Sequence, residues 1–186
     1  MTGLHGRPAD YYRQIRTPRE SWRSLDDVRP QLAEFGLRCD TGDSNTVVTV
    51  LADIDYDHLE LWGHYRTLLD VHARIRGRVT HPWTNTIHLT NLANCHNRLG
   101  DYRQAIDLYS QSLTIAHDLG DRQLEAVTLG NLGTCHSIGI CHSSLGDYRQ
   151  AINLHTQVPD IARDLGDREG EGIHLGNLGL CCERLG

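Results

Sequence analysis

Twelve histidines and six cysteines are the residues of this chain best suited to chemistry. They cluster at Cys95-His96, Cys135-His136, Cys141-His142 and the vicinal pair Cys181-Cys182. A zinc site needs three or four such groups converging tetrahedrally, supplied from Cys-x2-Cys turns or from positions three or four apart on a helix. No Cys-x2-Cys or His-x3-His spacing occurs. Adjacent Cys and His side chains leave a helix in different directions, and these pairs recur at equivalent places within apolar helical patterns. They are expected to be buried free thiols and packed imidazoles, with no metal and no cofactor.

Other chemistry is equally hard to assemble. Asp53, Asp55 and Asp57 resemble the start of a calcium loop, but no glycine follows and the twelfth place is His64 rather than Glu, so a capping or turn role is expected. No Gly-x-Ser-x-Gly elbow and no nucleotide-binding glycine loop is present. All eighteen basic residues are Arg, which excludes a Walker-type lysine and Schiff-base chemistry within this chain and fits the codon bias of GC-rich bacteria. A net charge of −6 without a basic cluster argues against nucleic acid. No apolar stretch approaches a membrane span, and the first thirty residues carry arginines without an apolar signal core. The reading is a cytoplasmic, non-enzymatic protein that binds neither nucleic acid nor membrane.

The elements that would have to position these residues are short amphipathic helices in an internal repeat. Gly100-Asp101-Tyr102-Arg103-Gln104-Ala105-Ile106 returns as Gly146-Asp147-Tyr148-Arg149-Gln150-Ala151-Ile152, and Asp118-Leu119-Gly120-Asp121-Arg122 returns as Asp164-Leu165-Gly166-Asp167-Arg168. A third marker, Asn-Leu-(Ala/Gly), begins at Asn91, Asn131 and Asn177. Leu-Gly pairs at 99–100, 119–120, 145–146, 165–166 and 185–186 are spaced by 20, 26, 20 and 20 residues. Each interval is one helix with its turn, because glycine takes the left-handed conformation that ends a helix and the following Asp caps the next. A helix pair repeating at about forty residues is the mark of a solenoid. Within it Leu89, Leu92, Cys95, His96 and Leu99 share one face, as do Ala105, Ile106, Leu108, Tyr109, Leu113 and Ala116 on the next helix. Ala93, Gly133 and Gly179 would let the paired helices approach closely.

The Leu-(Gly/Ala)…Leu-Gly-Asp-Tyr…Ala…(Tyr/His) pattern resembles the tetratricopeptide repeat over roughly residues 83–186, in the longer form found in kinesin-light-chain-like repeats and in bacterial multidomain signalling NTPases. The resemblance implies an all-α fold, a right-handed α-α superhelix of helical hairpins. Upstream, Trp62–Asp70 can be laid over Leu99–Asp107, which suggests degenerate helical repeats over 25–80. Their elements would be a helix over Leu25–Leu37, interrupted or begun late by Pro30 and ending near Gly42-Asp43, a segment over Ser44–Leu61 in which Val47–Leu51 could equally be a strand, and a helix over Tyr65–Arg76. Residues 1–24 read as irregular or partly helical, with no periodicity over 1–20. Residues 81–186 read as tetratricopeptide-like repeats, the last cut after its first helix.

Three places depart from the ideal repeat. Six extra residues around Cys135–His142 would turn an apolar face about 240° out of register, so a break or bulge near Gly139 is expected. Pro159 lies inside a second helix, where it removes a backbone hydrogen bond, and a kink beside Val158 is expected. The partner helix that should cover Ile173, Leu178, Cys181 and Leu185 is missing, which suggests a fragment of a longer array and self-association through the uncapped last helix.

Asn91, Asn131 and Asn177 hold one equivalent place on otherwise apolar first helices, and stacking would align them. The resemblance implies that first helices line a concave groove in which such asparagines hydrogen-bond a bound peptide. Asn91, Asn94, Arg98, Asn131, Thr134, Asn177 and Arg184 are therefore the candidate partner-binding residues, with Thr90, Asn97 and Glu183 nearby. The asparagines could equally bridge adjacent repeats or meet water. A carboxylate clamp of the kind some chaperone-binding relatives use needs several basic residues, and Arg98 and Arg184 alone are available. Two functions fit: a scaffold binding a peptide or neighbouring domain, or the sensor arm of a signalling NTPase whose catalytic domain lies outside this chain.

Overall fold

A computed structural model describes residues 6–142 and 148–185. Among them the chain is helical, with no strand, and it divides into two compact units, residues 1–80 and 81–186. The all-α fold expected from the repeat is the fold observed.

The first unit contains α1 (Gly6–Gln14), α2 (Arg29–Thr41), α3 (Ser44–Ile54), a π-helical turn (Asp55–Glu60) and α4 (Tyr65–Ile75). The helix α1 occupies a stretch without visible periodicity, and tertiary ties account for it. Arg38 donates to Glu34 (2.7 Å), Asp43 (3.0 Å) and Asp10 on α1 (2.9 Å), while Arg16, just beyond α1, donates to Glu34 (2.8 Å) and Asp53 (3.3 Å). Glu34 is fully buried, and a carboxylate so placed is tolerable only with both guanidiniums on it. A 3-10 turn over Leu25–Val28 precedes α2, whose first turn accepts Pro30 because no hydrogen bond is owed there, and Gly42 ends it with φ 76°.

Val47–Leu51 is helix, not strand. The Asp43 carboxylate caps α3 by accepting from the Thr46 N–H, and Val47, Val50, Leu51 and Ile54, three or four apart, bury as one helical face that outweighs β-propensity. The aspartates expected to cap or turn do other work: Asp53 pairs with Arg16, and Asp55 is buried 3.2 Å from Nε2 of His72.

The second unit contains α5 (Pro82–Arg98), α6 (Tyr102–Leu119), α7 (Arg122–His142), α8 (Tyr148–Leu165) and α9 (Arg168–Leu185), each packed on its chain neighbour. The turns are built as the glycine spacing predicts. Gly100, Gly120 and Gly166 have φ of 83°, 66° and 74°, and the Asp that follows sends its N–H back to the closing helix while its carboxylate caps the opening one. The equivalent Gly146 lies outside the described residues.

Two expectations about irregularities need correction or restatement. The helix α7 runs unbroken through Gly139 to His142. Cys135 keeps the buried place that Cys95 holds on α5, and beyond it the helix runs on, 21 residues long against 17 for α5 and 18 for α9. An internal glycine then costs only about 1 kcal/mol, less than breaking the hydrogen-bond ladder. Pro159 is buried beside Val158, with α8 continuing as helix on both sides.

The covering of α9 also differs from expectation. Cys181 is buried and Leu178 half-buried without a further helix, and α8 is the main neighbour of α9. The exposed apolar residues are Ile173, Leu175, Leu180 and Leu185. Nothing lies within 4 Å of where a Cβ on Gly179 would stand, so this glycine admits no close neighbour in the way Gly133 does.

Candidate functional site

The first helices of the repeat are α5, α7 and α9, and α7 touches both of the others. Asn91, Asn131 and Asn177 are half-buried at equivalent points along them, each on a stripe of partly exposed residues at helical spacing. On α5 the stripe is Ile87, Asn91, Asn94 and Arg98. On α7 it is Val127, Asn131 and Thr134, and on α9 Ile173, Asn177, Leu180 and Arg184.

The candidates divide by how much of their bonding capacity the fold uses. Asn94 accepts from the hydroxyl of Tyr109 on α6 (2.5 Å), so its carbonyl oxygen helps hold the hairpin. Thr134 returns its hydroxyl to the carbonyl of Gly130 one turn back. Thr90 is turned inward, its hydroxyl 2.8 Å from that of Ser112, and leaves the candidate set. Arg98 and Arg184 are exposed at the C-terminal ends of their helices, where the carbonyl dipoles favour a cation.

Asn177 and Arg184 are brought together. With Ser137, Tyr148, Leu180 and Cys181 they line an open pocket of about 160 Å³. It offers an amide, a guanidinium and an apolar wall, a combination suited to a peptide side chain or terminus.

Sequence reasoning missed the apolar row Ile87, Val127 and Ile173, one turn before the asparagines. Val127 is 43% and Ile173 54% exposed, unusual for branched aliphatics that could have faced the core. Their spacing from the asparagines was the available signal.

The cysteines and histidines sit inside this frame. Cys95, Cys135 and Cys181 are buried at equivalent points, and burial pushes the Cys135 thiol up to about 11. Such a thiol is protonated and inert as a nucleophile. His155 of α8 and His174 of α9 stack with ring centres 5.6 Å apart and Nδ1 atoms 3.4 Å apart. Burial, and then the neighbouring imidazole, hold His155 down to about 4; burial also lowers His174, against a raising influence from Asp167. Both rings are thus neutral packing groups near pH 7. Among the described residues no three His, Cys, Asp or Glu side chains converge on a metal position, and no helix is long and apolar enough to cross a membrane.

Residues 83–138 match a family model described as tetratricopeptide repeat, and residues 134–169 match a second model of the same description. No curated protein matches the chain. Repeats of this kind generally mediate protein–protein interaction. With the helix pairs, the Gly-Asp turns and the aligned first helices in place, residues 83–169 of this chain are tetratricopeptide repeats.

Proposed function

We propose that this protein is an interaction scaffold that binds an extended peptide, or a segment of a neighbouring domain, across the first helices α5, α7 and α9. The observation that carries the reading is the row of half-buried Asn91, Asn131 and Asn177 beside the aliphatic row of half-buried Ile87 and exposed Val127 and Ile173. An amide can both donate to and accept from a peptide backbone, whose own groups recur along an extended chain. The aliphatic row gives the partner's side chains somewhere dry to go. Arg98 and Arg184 at one edge favour carboxylates on that side of the ligand.

The test is selection of a random peptide display library against the chain, followed by rebinding of the winners. Changing Asn91, Asn131 and Asn177 together to Ala should weaken binding at least tenfold while the circular dichroism of the helices stays unchanged. Undiminished binding by the folded triple variant would remove the groove assignment. The same face would serve in cis in the sensor arm of a signalling NTPase, and a Walker-type glycine loop encoded upstream of Met1 is the observation that would favour that form.

A further inference from the structure

The helix α9 repeats the sequence of α7 without its surroundings. Ala126, Leu129, Gly130 and Gly133 of α7 are buried, with the ring of His174 over Gly130 and the ring of His155 over Gly133. The same places on α9 hold Gly172, Leu175, Gly176 and Gly179, and all four are exposed. Leu175 is 47% exposed, and no atom lies within 4 Å of a Cβ placed on any of the three glycines. Members of this set are three or four residues apart, so they form one stripe, turned about 160° from Asn177 and separate from the asparagine row. A leucine half in water beside open glycine sockets gains free energy when covered.

The charges on the stripe indicate what covers it. Arg168 opens α9 and Glu183 lies near its end, both exposed, and neither forms an ion pair among the described residues. Each stands at the end of the helix where the macrodipole disfavours its sign. An antiparallel copy of the same helix corrects both misplacements at once, because it brings the opposite charge to each end.

We propose that α9 is the contact surface of a homodimer in which two copies pack antiparallel about a two-fold axis. Leu175 of each copy enters the socket formed by Gly172, Gly176 and Gly179 of the other, as His174 enters the socket at Gly130 within one chain. In that register Arg168 meets the partner's Glu183 at both ends of the contact. The interface is isologous, so every favourable pair occurs twice.

Sedimentation equilibrium of the full chain, from low to high micromolar concentration, tests this. The expected mass rises from one chain to two, and Leu175→Glu holds it at one chain with unchanged helical circular dichroism. Arg168→Glu and Glu183→Arg should each weaken the dimer roughly tenfold, since each reversal spoils two pairs. The double variant Arg168→Glu/Glu183→Arg should restore it. These residues are about 22 Å apart along one helix and cannot meet within a copy, so restoration reports only the antiparallel pair. A chain that stays monomeric throughout, a dimer indifferent to Leu175→Glu, or a double variant as weak as the single ones would overturn the proposal. Peptide capture through the asparagine row is read separately and does not enter the mass.

Discussion

The hairpins α5–α6 and α7–α8 are copies in sequence, yet they fill the same positions by different means. In the first, Tyr109 and Ala93 are both buried, and Tyr109 spends its hydroxyl on Asn94. In the second the aromatic is His155 and the alanine is Gly133, where a Cβ would come 2.8 Å from the ring. Freed by the smaller pair, His155 reaches His174 of the next helix instead of an asparagine on its own partner. The first solution closes a hairpin on itself, and the second joins a hairpin to its successor. The repeat therefore specifies where a large side chain must go, while the residue chosen decides which helices it ties together.

That contrast can be broken most strongly at its centre. Tyr109→Ala should lower stability to urea by about 3–5 kcal/mol, as emptying a packed aromatic site does. Next in size is a pH effect confined to the second hairpin. His155 is held at about 4 in the fold against an ordinary value near 6.5, so the unfolded chain binds its proton first. Its contribution is complete above pH 6.5, is lost as pH falls from 6.5 to 4, and changes no further below that. The groups facing it are His174 from α9, itself near Asp167, so no carboxylate offsets the proton directly. The difference between the parent chain and His155→Phe, from urea midpoints across this range, should reach about 3 kcal/mol. A difference that stays flat with pH would show the ring to be solvated.

Smaller effects sharpen the comparison at one glycine position. Gly133→Ala should destabilise by about 1–3 kcal/mol, because a fully buried ring stands in the way and overpacking outweighs the better helix propensity. Gly179→Ala, at the same place in the next repeat, should stabilise by about 0.5–1 kcal/mol in dilute solution, since open space leaves only the propensity gain. Equal signs for the two would mean that the repeat position, not its surroundings, sets the outcome.

Much of the second unit was readable before its structure. Recurrence of Leu-Gly-Asp marks helix ends because the signal is local: a left-handed glycine and a capping carboxylate act within a few residues. The aligned asparagines were readable for the same reason, since periodicity fixes their place on each helix. Less could be read where partners are distant. Residues 6–14 show no pattern because their helix is held by Arg38 and Arg16 reaching Asp10 and Glu34. The continuous α7 was misjudged because a helix already held by its hydrogen-bond ladder runs on past Cys135 rather than breaking at a single glycine.

By itself, then, the sequence determined the helix pairs, their turns and the row of asparagines, all consequences of contacts between near neighbours in the chain. Only the tertiary structure decided that Asn94 is claimed by Tyr109, that Thr90 turns inward, that Val127 and Ile173 stand outward, and that Leu175 lies open beside three glycines. Each of those depends on which atoms from another helix arrive at a given face. Helical spacing selects the face, but it cannot say what will cover it.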